Sequence, residues 1–509
     1  MQRGGDGATG NGSDVVFDDS GIERGADGIA RYTGLEQNLV RGFARTVAAH
    51  PDRTAVVELD GPTATYRELW DGAARVAGGL RAQGVQPGDR VAIAHPNGLT
   101  WMLGFWGAQL AGAVVVPLNT RLAPAERAFI ETDSGAVVTI GELPYGEPVQ
   151  AHDGEPGDLA ALFYTSGTTG RPKGAMLTQE CFLSSAENVQ RCRELDPDVV
   201  NVSLISVPLF HVTGCCSQMV TQVLMAGTTV LMPRFRPETF LAAVAEHRVT
   251  LLTSVPTIYE LVLRHPDVAT TDLSSVRALY YGGAPMAPEL VHRLRTTLSG
   301  VRLGNGFGLS ETSALATFLP DAWTDAHADS VGFPAPVVDV AVDRPDPDTG
   351  VGELLVRGQN VAVGYWGDPA RTAQTFVDGW LHTGDLASID AEGLVRIVDR
   401  AKDMINRGGE NVYSVEVENA LAEHPDVLEV AVVGVPDPVM GEKVGAVVLA
   451  RPGTTLHAPE LAAFARERLA DFKVPQFLRV LDGPLPRNAG GKVLKGPLRT
   501  ATDWIPVPR

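Results

Sequence analysis

Cysteine is scarce. Four stand in 509 residues, at 181, 192, 215 and 216, with neither paired zinc spacing nor a disulfide framework. They read as small buried hydrophobes, and a reducing, cytoplasmic setting is the expectation. Positive charge is short as well: 42 Lys and Arg face 61 Asp and Glu, a net charge of −19. That balance excludes a general affinity for nucleic acid or an anionic membrane face, so any polyanion must be held by local geometry. One uncharged run invites a membrane test: residues 91–120 have no Asp, Glu, Lys or Arg, but Pro96, Asn97, Gly98, Gly112 and Pro117 divide them into strand, helix and strand. Each piece is shorter than the ~20 residues of a membrane span, so no stable insertion is expected. Residues 1–14 are polar and Gly-rich with no apolar stretch behind a basic start, so no secretory leader is expected. Lysine is the rarest cation: six against 36 arginines, five of the six beyond residue 400. A composition that uses arginine wherever it serves leaves lysine where a compact, movable ammonium is needed, which draws attention to Lys173 and Lys492.

What is present is ample apolar material, 44% of the chain, enough for two to four packed domains. Residues 1–34, rich in glycine, read as a flexible solvated tail. Residues 35–400 alternate strand-like and helix-like segments and predict a large N-terminal α/β domain of βα-layered sheets. Past residue 400 short mixed segments predict a small, mobile α+β lid over 401–509. That lid carries a net charge of −1 against −18 for the rest, and is the less repulsive part to a polyphosphate.

The strongest local signal is Thr165-Ser-Gly-Thr-Thr-Gly-Arg-Pro-Lys-Gly174, directly after the apolar strand LAALFY. Glycines let backbone amides approach an anion, hydroxyls add donors, and Lys173 adds a mobile charge. It is a phosphate cradle by composition, though not a Walker A loop, because Gly167 and Gly170 lack the four-residue gap and Gly174 follows the lysine. Seven further stretches follow in order: Ser206–Gly214 (SVPLFHVTG), Tyr281–Pro285 (YGGAP), Asn305–Thr312 (NGFGLSET), Gly379–Asp385 (GWLHTGD), Asp399–Asp403 (DRAKD), Gly408–Asn411 (GGEN) and Pro486–Lys492 (PRNAGGK). Together they resemble the adenylate-forming superfamily of acyl-CoA synthetases, peptide-synthetase adenylation domains and luciferases, most closely its fatty-acyl and aryl-CoA ligases.

The resemblance implies a two-step reaction. A carboxylate oxygen attacks the α-phosphate of ATP and expels pyrophosphate, and a thiol, CoA, then displaces AMP. Thr165, Ser166, Gly167, Thr168, Thr169 and Lys173 would hold the β and γ phosphates. Glu311 would ligate Mg²⁺ and Thr312 would touch the α-phosphate. Gly282, Gly283, Ala284, Asn305 and Phe307 would enclose adenine, while Asp385 and Arg400 would hold the ribose, a carboxylate being acceptor-only and so suited to a diol. Lys492 would serve the first half-reaction from an exposed Gly-rich turn. Lys402 would be the hinge from which the lid turns, bringing Gly408 and Gly409 to the pantetheine tunnel. His211 would position the acyl carboxylate.

The pocket wall implied for the acid is Val212, Gly214, Cys215, Tyr281, Leu309, Ser313 and Ala314, all uncharged. An amino acid would leave its ammonium unpaired there, so an apolar monocarboxylate, fatty or aryl/arylalkenyl, is expected. The chain ends ten residues after Arg499, so no fused carrier is expected and the acceptor is a separate molecule. CoA is favoured; a carrier protein, an amine or another unusual acceptor stays open, as does a homodimer. A different class, an ATP-binding pseudoenzyme, is disfavoured by intact Lys173, Glu311, Asp385 and Lys492.

Overall fold

The computed structural model describes residues 17–165, 171–284, 286, 288–408, 410–487 and 493–507. The chain divides into two units: Met1–Ala341 with Leu355–His382 and Asp390–Val395, and Val342–Leu354 with Thr383–Ile389 and Arg396–Arg509.

Short, mostly buried strands build two large sheets in the first unit. The larger has nine strands. Its six central ones, Arg302–Phe307, Ala278–Gly282, Leu251–Ser254, Val202–Ile205, Thr228–Leu231 and Thr54–Glu58, lie mutually parallel in that spatial order. A parallel sheet is buried on both faces, and strand alternation sorts its side chains into two cores. One core takes Leu204, Val230, Leu252, Leu279 and Tyr281 with the helices Pro237–Glu246, Pro256–Arg264 and Pro288–Thr297. Ile205 and Leu231 enter the other, with Leu39, Phe43, Phe182, Val212, Cys215 and Val220. The smaller sheet orders Ala136–Ile140, Arg90–Ile93, Val114–Pro117, Leu159–Thr165 and Lys173–Thr178, parallel except for the last pair.

The uncharged 91–120 run becomes strand, helix and strand. Its helix, Leu99–Leu110, is hydrophobic all round because it is enclosed: Trp101, Phe105 and Trp106 are fully buried, each contributing about 2–3 kcal/mol of burial. No helix among the described residues is long and apolar enough to cross a membrane. Helix Tyr66–Ala82 starts in a capping box between Thr65 and Glu68. Its interior Gly78 and Gly79 cost helix propensity but admit another chain segment, since a Cβ there would meet the Glu147 and Pro144 carbonyls. The polar stretch after residue 141 is laid along that groove. All four cysteines are buried and free.

The structure differs from the sequence expectation over residues 17–34. Instead of a solvated stretch, Ile22–Arg24 pairs with Ala30–Tyr32 in a hairpin. Tyr32 is buried and donates to Asn188 Oδ1 at 2.7 Å, and Arg24 pairs with Asp339 at 2.7 Å. The glycines that suggested disorder supply the turn, and one buried aromatic ring anchors the segment.

In the second unit a six-stranded sheet centres on Val427–Asp437 and Gly441–Ala450, with helices Ser414–Ala422 and Ala458–Arg466. A polar network joins the short helix Lys495–Arg499 to it. Lys495 Nζ pairs with Glu418 at 2.7 Å and donates to Ser414 Oγ at 2.6 Å; Ser414 Oγ donates on to Asp399 at 3.0 Å. Burial raises the Asp399 and Glu418 carboxyls, against the opposing pull of Lys495. Lys495→Met leaves those acids without their cation and is expected to destabilise the protein by about 3 kcal/mol, read from urea midpoints at pH 8. Because a protonated Glu418 needs no cation, the loss shrinks as pH falls; a penalty independent of pH would contradict the network.

Candidate active site

The phosphate-cradle sequence connects two antiparallel strands. Leu159–Thr165 and Lys173–Thr178 pair so that Thr165 stands opposite Lys173. The buried Thr165 hydroxyl has no hydrogen-bond partner among the described residues. Ser166, Gly167, Thr168 and Thr169 lie outside the described residues, as do Gly409 and Lys492.

Lys173 reaches Glu311, its Nζ 2.9 Å from Oε1. Tyr365 completes the cluster. Its hydroxyl donates to the same Glu311 oxygen at 2.7 Å and accepts from Lys173, whose ammonium lies 4.1 Å from the ring centroid. Burial first, then the Glu311 charge and hydrogen bond, push the Tyr365 phenol far up, so it stays a donor. Tyr365 escaped the sequence reading because one aromatic in Gly364-Tyr-Trp366 has no spacing that marks it. The chain brings it here by pairing: Ala175 bridges Tyr365, and Trp366 N–H donates to the Gly174 carbonyl at 2.8 Å.

Glu311 stands on a single 3₁₀ turn, Ser310–Thr312, after the strand Arg302–Phe307. The next two residues, Ser313 and Ala314, have φ of 54° and 104°, a left-handed conformation that non-glycine residues adopt at a cost of roughly 1–3 kcal/mol each. Surrounding bonds enforce it. Asn360 Nδ2 donates to the Thr312 and Leu315 carbonyls at 2.9 and 2.8 Å, Ser313 Oγ donates to the Asn360 carbonyl, and Ser185 Oγ to that of Ser313. Asn360 was also invisible in the sequence. Thr312 is fully buried, its hydroxyl donating to the Leu309 carbonyl and accepting from the Leu309 N–H.

Gly282 and Asn305 lie on neighbouring parallel strands, Gly282 opposite Gly306 and Tyr281 opposite Asn305. A Cβ on Gly282 would strike the Gly306 carbonyl, and Gly283 has φ 74°, so both positions require glycine. Gly283 and Ala284 are exposed, Phe307 is half-buried, and Asn305 Nδ2 donates to the Ser330 carbonyl at 3.0 Å. These residues occupy the carboxyl ends of the parallel strands, where α/β sheets bind ligands.

His211 caps the short helix Val212–Gly214 beside Phe210, ring centroids 4.7 Å apart. Burial, helped by the Arg121 cation, pushes its imidazole down to about 4, so it is neutral at physiological pH. Val212 and Cys215 are buried in the first core; a Cβ on Gly214 would strike the Pro208 carbonyl. Cys215 opens a π-helix, Cys215–Val220, whose six residues are all buried. Ser313 is buried, and Leu309 and Ala314 half-buried, in the strained turn. Tyr281 faces the second core with Val291 and Leu294, whereas Tyr280, one residue earlier, faces the π-helix side.

The second unit holds the remaining candidates. Arg400 Nε lies 2.6 Å from Oδ1 of the buried Asp385, whose N–H donates to Thr383 Oγ1 at 3.1 Å. Lys402 is exposed, its carbonyl accepting from Arg499 at 2.7 Å. Gly408 has φ 62° and donates to the Met440 carbonyl at 2.7 Å; a Cβ there would press on the Met440 methyl.

Comparison with known proteins identifies the family. A family model described as an AMP-binding enzyme matches residues 43–150 and 141–366, and one described as an AMP-binding enzyme C-terminal domain matches 416–492. The chain is 40% identical over 482 residues to a feruloyl-CoA synthase from Amycolatopsis sp, covering 89% of this chain and 97% of that protein. It is 36% identical over 499 residues to the 3-[(3aS,4S,7aS)-7a-methyl-1,5-dioxo-octahydro-1H-inden-4-yl]propanoyl:CoA ligase of Rhodococcus jostii (strain RHA1), covering 88% and 95%. Among solved structures, o-succinylbenzoate CoA synthetase (MenE) from Bacillus subtilis with its acyl-adenylate intermediate superposes with a TM-score of 0.83 at 30% identity, over 92% of this chain and 99% of that one. The same enzyme has been solved with ATP and magnesium.

Two outcomes follow from the geometry. Tyr365→Phe keeps the ring over Lys173 but removes the bond to Glu311, and is expected to weaken ATP binding roughly 10-fold by calorimetry with the melting temperature little changed. His211, followed by NMR, should stay neutral from pH 8 to pH 5 with a midpoint near 4; one near 6.5 would contradict its burial. An unfolded chain takes up a proton below pH 6.5 that the folded histidine refuses, so stability falls as pH drops from 6.5 towards 4.

Proposed function

The chain belongs to the family of AMP-binding enzymes, and from that premise we propose that it is an AMP-forming acid–thiol ligase, activating an aryl, arylalkenyl or other ring-bearing carboxylic acid and passing it to CoA. The observation that carries this reading is the Lys173–Glu311–Tyr365 cluster at the mouth of the phosphate-cradle hairpin. The names of the full-length relatives, a feruloyl-CoA synthase and a ligase of a fused-ring propanoate, favour a ring-bearing acid over a simple fatty acid.

The first step brings an anion against a polyanion, so its barrier is mainly electrostatic. The acid's oxygen forms a bond to the α-phosphorus as the bond to pyrophosphate breaks; the CoA sulfur then adds to the acyl carbon and AMP leaves. In this reading the triphosphate competes with Glu311 for Lys173, and the Thr165 hydroxyl, unpartnered among the described residues, is a ready donor beside it. Glu311 suits Mg²⁺: a hard oxygen donor whose Oε2 has no partner among the described residues. The ion, when bound, neutralises phosphate charge. Neutral His211 adds no charge of its own beside the acid and serves as a positioning group. Asp385 takes the ribose hydroxyls and Arg400 fixes its carboxylate. Lys492 supplies the cation for adenylation and Gly408 lines the thiol path, a lid hinging at Lys402 alternating the two.

The decisive experiment offers the purified protein ATP and a panel of carboxylic acids with and without CoA, read by pyrophosphate release and mass spectrometry. Acid-dependent pyrophosphate and an acyl-CoA product are expected. Release of ADP would end the reading, ATP binding without acid-dependent release would make the protein a pseudoenzyme, and acyl-AMP that CoA does not discharge would point to a carrier protein or amine. Lys492→Ala is expected to abolish adenylate formation while sparing thiolysis of supplied acyl-AMP; equal loss of both steps would remove Lys492 from its role.

A further inference from the structure

Arg193 ends the helix Gln179–Cys192 and is only 7% exposed, yet among the described residues no carboxylate is one of its charge partners. Nη1 donates to Thr253 Oγ1 at 3.3 Å and Nη2 to Ser217 Oγ at 3.4 Å, both long bonds to neutral hydroxyls. Nε has no partner among the described residues, and the guanidinium lies 4.5 Å from the Tyr280 ring centroid. The ionisable groups acting on its charge are Tyr280, Cys192 and Tyr259, and burial outweighs them all, drawing its affinity for the proton down. The adjacent acid, Glu194, is turned out to solvent and pairs with Arg302 at 3.1 Å. A buried cation without an anion is costly, and such groups persist where a ligand completes them.

Its position identifies the ligand. Thr253 and Tyr280 are register partners and so project from the same face of the sheet, opposite the face of Leu252, Leu279 and Tyr281. Ser217 lies in the π-helix that Cys215 opens, directly after Val212–Gly214. Tyr280 precedes Gly282, at the nucleotide end of its strand, by two residues or about 7 Å. An acid whose carboxylate sits at that end and whose body runs down this face meets Arg193 with its far end.

We propose that Arg193, with Ser217 and Thr253, forms the floor of the acyl pocket and selects acids that carry an oxygen acceptor, carbonyl, phenolic or carboxylate, at the end remote from the carboxylate being activated. This rests on the ligase reading and revises the wholly neutral pocket inferred from the sequence. The guanidinium donates only, so the ligand must accept, and an acid lacking the acceptor leaves the cation unpaired.

The test uses the full-length enzyme and matched acids: cinnamate against 4-hydroxycinnamate and 4-carboxycinnamate, and 3-cyclohexylpropanoate against 3-(4-oxocyclohexyl)propanoate. The wild type should prefer the oxygen-bearing member of at least one pair by roughly 10- to 100-fold in kcat/KM, mainly through KM. Arg193→Met should bring that ratio to near one by loss on the oxygen-bearing member, and should melt no lower than the wild type because a buried charge has been removed. Arg193→Lys should retain part of the preference. Equal wild-type kcat/KM within every pair, a ratio that survives Arg193→Met, or equal loss on both members with a lower melting point would overturn the assignment. Should Arg193→Met fail to fold, the wild-type ratio and the lysine variant decide. Should no acid release pyrophosphate, the ligase reading fails on its own, and calorimetric binding of the same pairs to the wild type and the lysine variant still tests Arg193.

Discussion

One ion pair brings together parts of the chain that are far apart in sequence. Lys173 begins a strand of the smaller sheet, Glu311 stands just past a strand of the larger, and they meet at 2.9 Å beneath the Tyr365 hydroxyl. Opposite charges at this separation neutralise each other, which lets a lysine and a glutamate sit largely out of water beside an aromatic ring. In the proposed reaction a triphosphate would be a stronger partner for the ammonium than one carboxylate, and the displaced carboxylate would be free for a divalent cation. The strained turn at Ser313 and Ala314 is tolerated because Asn360 and Ser185 over-determine it, and it holds Glu311 where the pair needs it.

The parallel strands set a second constraint. Their carboxyl ends share one edge, and Gly282, Gly283 and Asn305 lie along it because two strands adjacent in space end there. Alternation below that edge then sorts residues one apart in sequence into different environments. Tyr281 packs against helices in the second core, while Tyr280 turns towards Arg193 and the π-helix. A binding site read from a linear motif is therefore uncertain by one residue in a strand, and that single step exchanges a core ring for a ring against a buried cation.

Much was nonetheless legible in the one-dimensional pattern. Alternating strand and helix signals gave the layered α/β order, and the charge-free 91–120 run yielded to its Pro and Gly breaks as a buried unit. The rarity of lysine singled out Lys173 before any partner was known. The N-terminal hairpin was less legible, because glycines that make a tight turn and glycines that make a flexible tail look alike until a buried Tyr32 anchors them.

The amino-acid sequence by itself determined the family and the order of the motifs, because those depend on local residue type and spacing. Tertiary structure alone decided that Tyr365 joins Lys173 to Glu311, that Asn360 braces the turn, and that Arg193 is buried among hydroxyls with no acid beside it among the described residues. Each of those is a meeting of residues from separate elements, or an absence of one, and a contact made by folding leaves no mark on the spacing of the residues that make it.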